Sequence, residues 1–248
     1  MTAALLAAVA LIVGFFTGAV GPGGILLIPA LVMLGGMDIH LATATALFVF
    51  FFTGILGTWL FHRRGHIRWR IALPVCGGSM AFSYLGALVN ARVESHLLTL
   101  LIAGVIVLSG AYLFLPARRS EGNYRNGTGA AQQALLLAIG AASGFGSGLS
   151  GAGGALFSVP LMLIAGFMPL AVIGTSQVQQ IVVATSGTIG NLQYGAIDFA
   201  TAAWIAAVAC VGLSIGARVT RSLSALAQRR TVAGLCIGVG TLMLVRGW

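Results

Sequence analysis

The segments Gly21-Pro22-Gly23-Gly24 and Gly151-Ala152-Gly153-Gly154 each interrupt an apolar run, 3–34 and 132–166, that is too long for one membrane helix. Glycine, helped in the first case by Pro22, breaks a helix into two legs. Backbone groups freed at membrane depth cannot face lipid, so such a break must be buried in protein or line a cavity. The leg that follows, starting near Gly24 or Gly154, turns its N-terminal N–H groups and positive dipole end toward that cavity, which favours a bound anion. Glycine also lets the backbone approach the ligand closely. Polar side chains lie inside the neighbouring apolar runs: Thr43, Thr45, Thr53 and Thr58, then Ser150, Thr175, Ser176, Gln177, Gln179, Gln180 and Asn191. Most read as neutral donors, and the four acids, Asp38, Glu94, Glu121 and Asp198, all sit in or beside loops, so an oxyanion fits better than a cation. The candidate substrate-binding set is Gly21, Gly23, Gly24, Thr45, Ser150, Gly151, Gly153, Gly154, Thr175, Ser176, Gln177 and Gln180. Gln177 and Gln180 are three apart and share a helix face. The competing reading of any one Ser, Thr or Gly is close helix packing, for which small residues are also selected. Neither a cofactor nor a metal is expected.

The elements that must carry these residues follow from composition. Of 248 residues, 58% are hydrophobic and 7% charged, too few charges to clothe a soluble domain. Apolar runs at 3–34, 41–61, 69–90, 95–115, 132–166, 169–193, 198–217 and 229–247 describe an all-α, polytopic membrane helix bundle. The net charge of +9 comes from arginines in short loops, with no lysine and no interleaved stacking aromatics, so no nucleic-acid partner is expected. Cys76, Cys210 and Cys236 lie within apolar runs and read as small core residues. His40, His62, His66 and His96 lie at loops, away from any metal-like cluster. The N-terminus lacks a basic n-region and does not read as a cleaved signal.

A shift of 130 residues superposes Gly14 on Gly144, Phe15 on Phe145, Gly18 on Gly148, Gly21 on Gly151, Gly23-Gly24 on Gly153-Gly154, Thr45 on Thr175, Gly57 on Gly187 and Gly86-Ala87 on Gly216-Ala217. This reads as a duplicated unit: a first membrane repeat over 1–116, a cytoplasmic linker over 117–130 and a second membrane repeat over 131–248. Two topologies compete. Eight simple crossings divide the arginines eight to five between the two sides. A re-entrant glycine-broken helix pair plus three transmembrane helices in each half divides them eleven to two, with Arg64 and Arg218 on the same side. An odd number of crossings per half also turns the second half over, so two inverted repeats are expected. The first leg of each broken run is nonetheless long enough to cross the bilayer.

The segments Gly18-Ala-Val-Gly-Pro-Gly-Gly-Ile-Leu-Leu-Ile-Pro29 and Gly148-Leu-Ser-Gly-Ala-Gly-Gly-Ala-Leu-Phe-Ser-Val-Pro160, followed by Ala44-Thr-Ala-Leu47 and Gly174-Thr-Ser-Gln177, resemble the sulfite exporter TauE/SafE family across the whole chain. The resemblance implies a multi-pass transporter of the bacterial inner membrane that moves sulfite or an organosulfonate, with export as the direction. It implies a small anionic substrate and a lipid bilayer as partners, and leaves proton coupling and a homo-oligomer open. The first half has Ala46-Leu47 where the second has Ser176-Gln177, so the site is expected to be asymmetric. An anion channel, or an uptake carrier for another small carboxylate or sulfur oxyanion, is the alternative. A remote one is an intramembrane serine protease using Ser150 of Gly148-Leu-Ser-Gly151, but no histidine follows His96, and an enzyme is not expected.

Overall fold

In a computed structural model the described residues are 2–114, 125–126, 128–194, 197–219, 230, 233–234, 237–238, 240–242 and 244–245. The linker residues Arg118, Arg119, Glu121 and Asn123, together with Arg221, Arg229, Arg246 and Cys236, lie outside them. The described residues form helices and no β-strand. They are α1 (Thr2–Val20), a 3₁₀ turn (Pro22–Leu26), α2 (Leu27–Met33), α3 (Ile39–Arg63), α4 (Trp69–Asn90), α5 (Ser95–Phe114), α6 (Ala130–Ser150), α7 (Ala155–Ile164), α8 (Pro169–Tyr194) and α9 (Phe199–Val219). Among the described residues, five helical segments are long and apolar enough to cross a membrane: Ile39–Arg63, Trp69–Asn90, Ser95–Tyr112, Ala130–Ser150 and Phe199–Arg218. α8 has 26 residues and is as long as any of these, but its serines, threonines and glutamines lower its apolarity. It is the central helix, and most of its polar residues face protein: Thr175, Ser176, Gln177 and Gln179 are fully buried.

Glycine fixes how the helices pack. The most extensive contact is α4 with α6, and the next is α1 with α9. On α6, Gly140 lies on Val75, Gly144 on Ser79 and Gly148 on Ser83 of α4. On α1, Gly14 lies on Ala209 and Gly18 on Leu213 of α9, while Gly212 and Gly216 of α9 return the contact onto Leu11 and Phe15. Small residues four apart thus bring whole backbones together. Both pairs run parallel. The 130-residue shift converts one pair into the other, α1 to α6 and α9 to α4.

At the centre α3 and α8 cross antiparallel. Leu47 faces Gly187, Gln180 donates to Thr53 Oγ1 at 2.9 Å, and Gly57 faces Gln177. α4 runs with α8, since Gln179 bonds Ser79, Ser83 bonds the Val183 carbonyl and Gly190 lies on Ala87. α3 runs with α9, since the Asp198 N–H donates to Thr45 Oγ1 at one end and Arg64 donates to the Ala217 carbonyl at the other. α1, α3 and α9 therefore point one way and α4, α6 and α8 the other. Under the shift α1 opposes α6, α3 opposes α8 and α4 opposes α9. Because α1 and α3 share a direction, Pro22–Met33 must double back between them.

Among the described residues, one end of the bundle gathers Arg63, Arg64, Arg68, Arg70, Arg125 and Arg218, while Arg92 follows α4 at the other. Arg64 sits on Ala217, one residue before Arg218, whereas the eight-crossing topology would hold Arg64 and Arg218 on opposite sides. Arg68 donates to Asn126 Oδ1 at 3.2 Å, and the Arg125 N–H donates to the Gly166 carbonyl. At the other end Asp38 caps α3 by accepting from the His40 N–H, and Asp198 caps α9 by accepting from both the N–H and the hydroxyl of Thr201. Hydrogen bonding by Thr201 holds the Asp198 carboxyl below its ordinary range. In α4, Pro74 cannot donate to the Arg70 carbonyl, and Gln133 of α6 donates to it at 3.0 Å instead.

Candidate functional site

The two glycine breaks enter the bundle from opposite ends and meet on one aromatic ring. α6 is capped by Gly151 in the left-handed conformation (φ 69°), where its Cα faces Thr43 near the start of α3. The chain then dives inward, and by Gly153 (φ 78°) it lies against Phe50, halfway along α3. α7 leaves this point for the arginine-rich end; its ten residues span about 15 Å, half a bilayer core. In the first half, Gly21 (φ 100°) breaks α1 beside Ile173 and Ser176 of α8, and Gly24 approaches Phe50 from the other side. A methyl group on Gly24 would lie 2.7 Å from Phe50 Cζ and 3.5 Å from the Ala152 carbonyl oxygen; one on Gly153 would lie 3.2 Å from Phe50 Cδ2. Each broken run thus has a long first leg and a short return leg. The return leg, not the first, begins in mid-bundle.

The halves differ in what they present there. α7 is α-helical from Ala155, with Gly154 at its N-cap, and neither the Gly153 nor the Gly154 N–H has a hydrogen-bond partner among the described residues. In the first half the break opens instead into a 3₁₀ turn, and α2 has only seven residues. Gly23 packs against Phe16 and Thr17 of α1. The expected pair of converging positive helix ends is therefore unequal, with the stronger one at Gly153-Gly154.

The polar side chains divide by position. Gln180 is the counterpart of Phe50 under the shift and meets it, donating to the Phe50 carbonyl at 3.3 Å and to Thr53 Oγ1 at 2.9 Å. Gln177 donates to the Thr17 carbonyl at 3.4 Å, one turn before the first break, and its Oε1 is buried without a partner. Thr175 Oγ1 is likewise buried and unpartnered, near the arginine-rich end where Gly174 packs on His66. Ser176 donates to the Ile173 carbonyl and Ser150 to the Gly146 carbonyl. Thr45 is engaged by the Asp198 N–H at the far end. Gly24, Gly153 and Gln180 thus come together at Phe50, with Gly154 next along the chain against Gln179. Gly21, Gly23, Thr45, Ser150, Gly151, Thr175, Ser176 and Gln177 lie above or below them. Several of the neutral donors are engaged locally: Thr43, Thr53, Ser150 and Ser176 donate to helix carbonyls. Satisfying those carbonyls is cheaper in lipid than leaving a hydroxyl idle.

Sequence reasoning missed two members of the centre. Phe50 gave no signal, being one apolar residue among many. Gln179 is a stronger omission: its amide lies against Gly154, with Oε1 3.2 Å from where a methyl group would stand. Its position within Gln177-Val-Gln-Gln180 was the available clue. No hydrogen bond joins Ser150 to a histidine among the described residues, and no cluster there could hold a metal ion.

An all-α bundle whose discontinuous helices meet at a buried polar centre defines a polytopic membrane transporter. The chain belongs to the family described as sulfite exporter TauE/SafE, which matches residues 6–243. It is 28% identical over 245 residues to the probable membrane transporter protein YdhB of Bacillus subtilis (strain 168), covering 94% of this chain and 99% of that one. It is 26% identical over 267 residues to the probable membrane transporter protein MJ0441 of Methanocaldococcus jannaschii, covering 97% and 96%. A shorter match, 31% over 107 residues, covers 43% of this chain and 39% of the probable membrane transporter protein YunE of Bacillus subtilis. No solved structure matches the chain. Membership makes it a multi-pass inner-membrane transporter and not an enzyme.

Proposed function

We propose that this transporter is a secondary carrier that exports a small sulfur-containing anion, sulfite or an organosulfonate, binding it between the two glycine breaks. The observation that carries the reading is the meeting of Gly24 and Gly153 on Phe50, with the N–H groups of Gly153 and Gly154 unengaged at the start of α7. Unengaged N–H groups at a helix start, reinforced by the dipole, supply positive potential at the centre. Phe50 fills the space between the breaks, so in this conformation the site is closed and the ring must move for an anion to enter. The opposed senses of α1/α6, α3/α8 and α4/α9 support inverted repeats, which exchange inward- and outward-facing states by rocking about such a centre. The sulfur chemistry and the export direction rest on the family's description alone.

The test is flux into proteoliposomes across sulfite, sulfate, thiosulfate, sulfoacetate and lactate, with and without an imposed proton gradient. A carrier accumulates its anion uphill under the driving gradient, whereas a channel only dissipates gradients. Gly153→Leu abolishes flux while the protein still inserts in the membrane. Normal flux through that variant places the anion site elsewhere.

A further inference from the structure

The reading of an anion at the α7 start leaves open what else the ligand must carry, and Gln179 speaks to that. Gln179 is fully buried, and its Nε2 donates to Ser79 Oγ at 2.8 Å and to Ser143 Oγ at 2.6 Å. Each serine has a single hydroxyl hydrogen, and each already has a helix carbonyl at hydrogen-bond distance: Val75 at 2.7 Å from Ser79 and Ile139 at 2.6 Å from Ser143. Those short oxygen–oxygen contacts require both hydroxyl hydrogens, so the amide group facing the serines must supply its own two. The amide is locked in that orientation, with both N–H bonds engaged. Its oxygen is left facing Gly154 with no partner.

A buried amide oxygen without a donor costs about 1–3 kcal/mol, and beside a bare oxyanion it would add repulsion. The same oxygen becomes favourable when the ligand brings a hydrogen. Building on the anion site proposed above, we infer that the ligand is a small anion that also carries an O–H group: its negative oxygens meet the Gly153 and Gly154 N–H groups, and its hydroxyl donates to Gln179 Oε1. A singly protonated oxyanion and a hydroxylated sulfonate share this chemistry. Gln179 is the residue that discriminates for the hydroxyl, while the glycine N–H groups recognise the charge.

Ethanesulfonate and 2-hydroxyethanesulfonate carry the same charge and differ by one hydroxyl, so calorimetric titration of the full-length purified protein with each isolates that group. The hydroxylated anion binds about tenfold more tightly to the native protein, the worth of one buried hydrogen bond. In Gln179→Leu, checked for folding by thermal unfolding, the preference disappears or reverses while ethanesulfonate binding survives. Because the comparison is first made on the native protein, a variant that fails to fold leaves it intact. Equal binding of the two anions overturns this inference and leaves the anion site standing. Binding of neither, with sulfite also inert, overturns the anion site itself.

Discussion

Gly153 is the position where the geometry makes the sharpest quantitative demand. Its φ of 78° is left-handed, and an alanine methyl there would stand 3.2 Å from Phe50 Cδ2. The backbone alone costs an L-residue about 1–2 kcal/mol. The methyl adds an overpacking cost, because carbon–carbon contacts relax to about 3.5–4.0 Å and Phe50, 2% exposed, has little room to retreat toward Gly24 on its far side. Insertions of this kind into a packed core cost about 1–3 kcal/mol. Gly65 supplies the control: it has a φ of 68° and nothing within 4 Å of a methyl, so Gly65→Ala carries the backbone cost alone. Equilibrium unfolding in detergent micelles should therefore find Gly153→Ala less stable than Gly65→Ala by about 1–3 kcal/mol. Adding Phe50→Leu to Gly153→Ala should recover most of that difference relative to Phe50→Leu alone. Anion flux should fall in Gly153→Ala and persist in Gly65→Ala. Equal destabilisation by the two alanines, or no recovery in the double variant, refutes the convergence of the second break on Phe50.

Three other outcomes follow from the packing and the charges. Gly144→Val drives a branched side chain into the backbone of Ser79 and should leave little folded protein by size-exclusion chromatography, whereas Gly104→Ala, with open space around it, should elute as the native protein does. Single cysteines replacing Arg64 and Arg218 should react with an impermeant maleimide from the same side of sealed vesicles, and labelling from opposite sides would restore eight simple crossings. Asp198 has its carboxyl held below the ordinary range, so its capping of α9 is complete above that range and is lost as pH falls through the lowered value. Acid titration should then loosen the start of α9 in the native protein, seen as faster amide exchange near Thr201, and Asp198→Asn should remove that pH dependence.

The bundle was legible where the sequence carries a period or a break. The 130-residue register placed α1 over α6 and α4 over α9, and the contacts α1–α9 and α4–α6 are the same contact seen twice. Arg64 on Ala217 agrees with the arginine distribution of the hairpin topology. The first legs, α1 and α6, are as long as the run lengths allowed, and the return legs, α2 and α7, are short. Spacing could not show that the first break opens into a 3₁₀ turn, because Pro22 and the glycines permit either helix and packing against α1 decides. Nor could it separate idle hydroxyls from engaged ones, since that depends on which helix carbonyl each can reach. Gln179 was visible as a polar residue in an apolar run, but its orientation depends on Ser79 and Ser143, from α4 and α6.

The most direct measurement is an NMR titration of protein carrying ¹⁵N-glycine in micelles or nanodiscs, with resonances assigned by single glycine-to-alanine variants and a small sulfonate or sulfite as titrant. The account predicts saturable shifts at Gly153 and Gly154 while Gly65 and Gly166, on open turns, stay unmoved. Saturable shifts confined to loop glycines, with Gly153 and Gly154 silent, would contradict it.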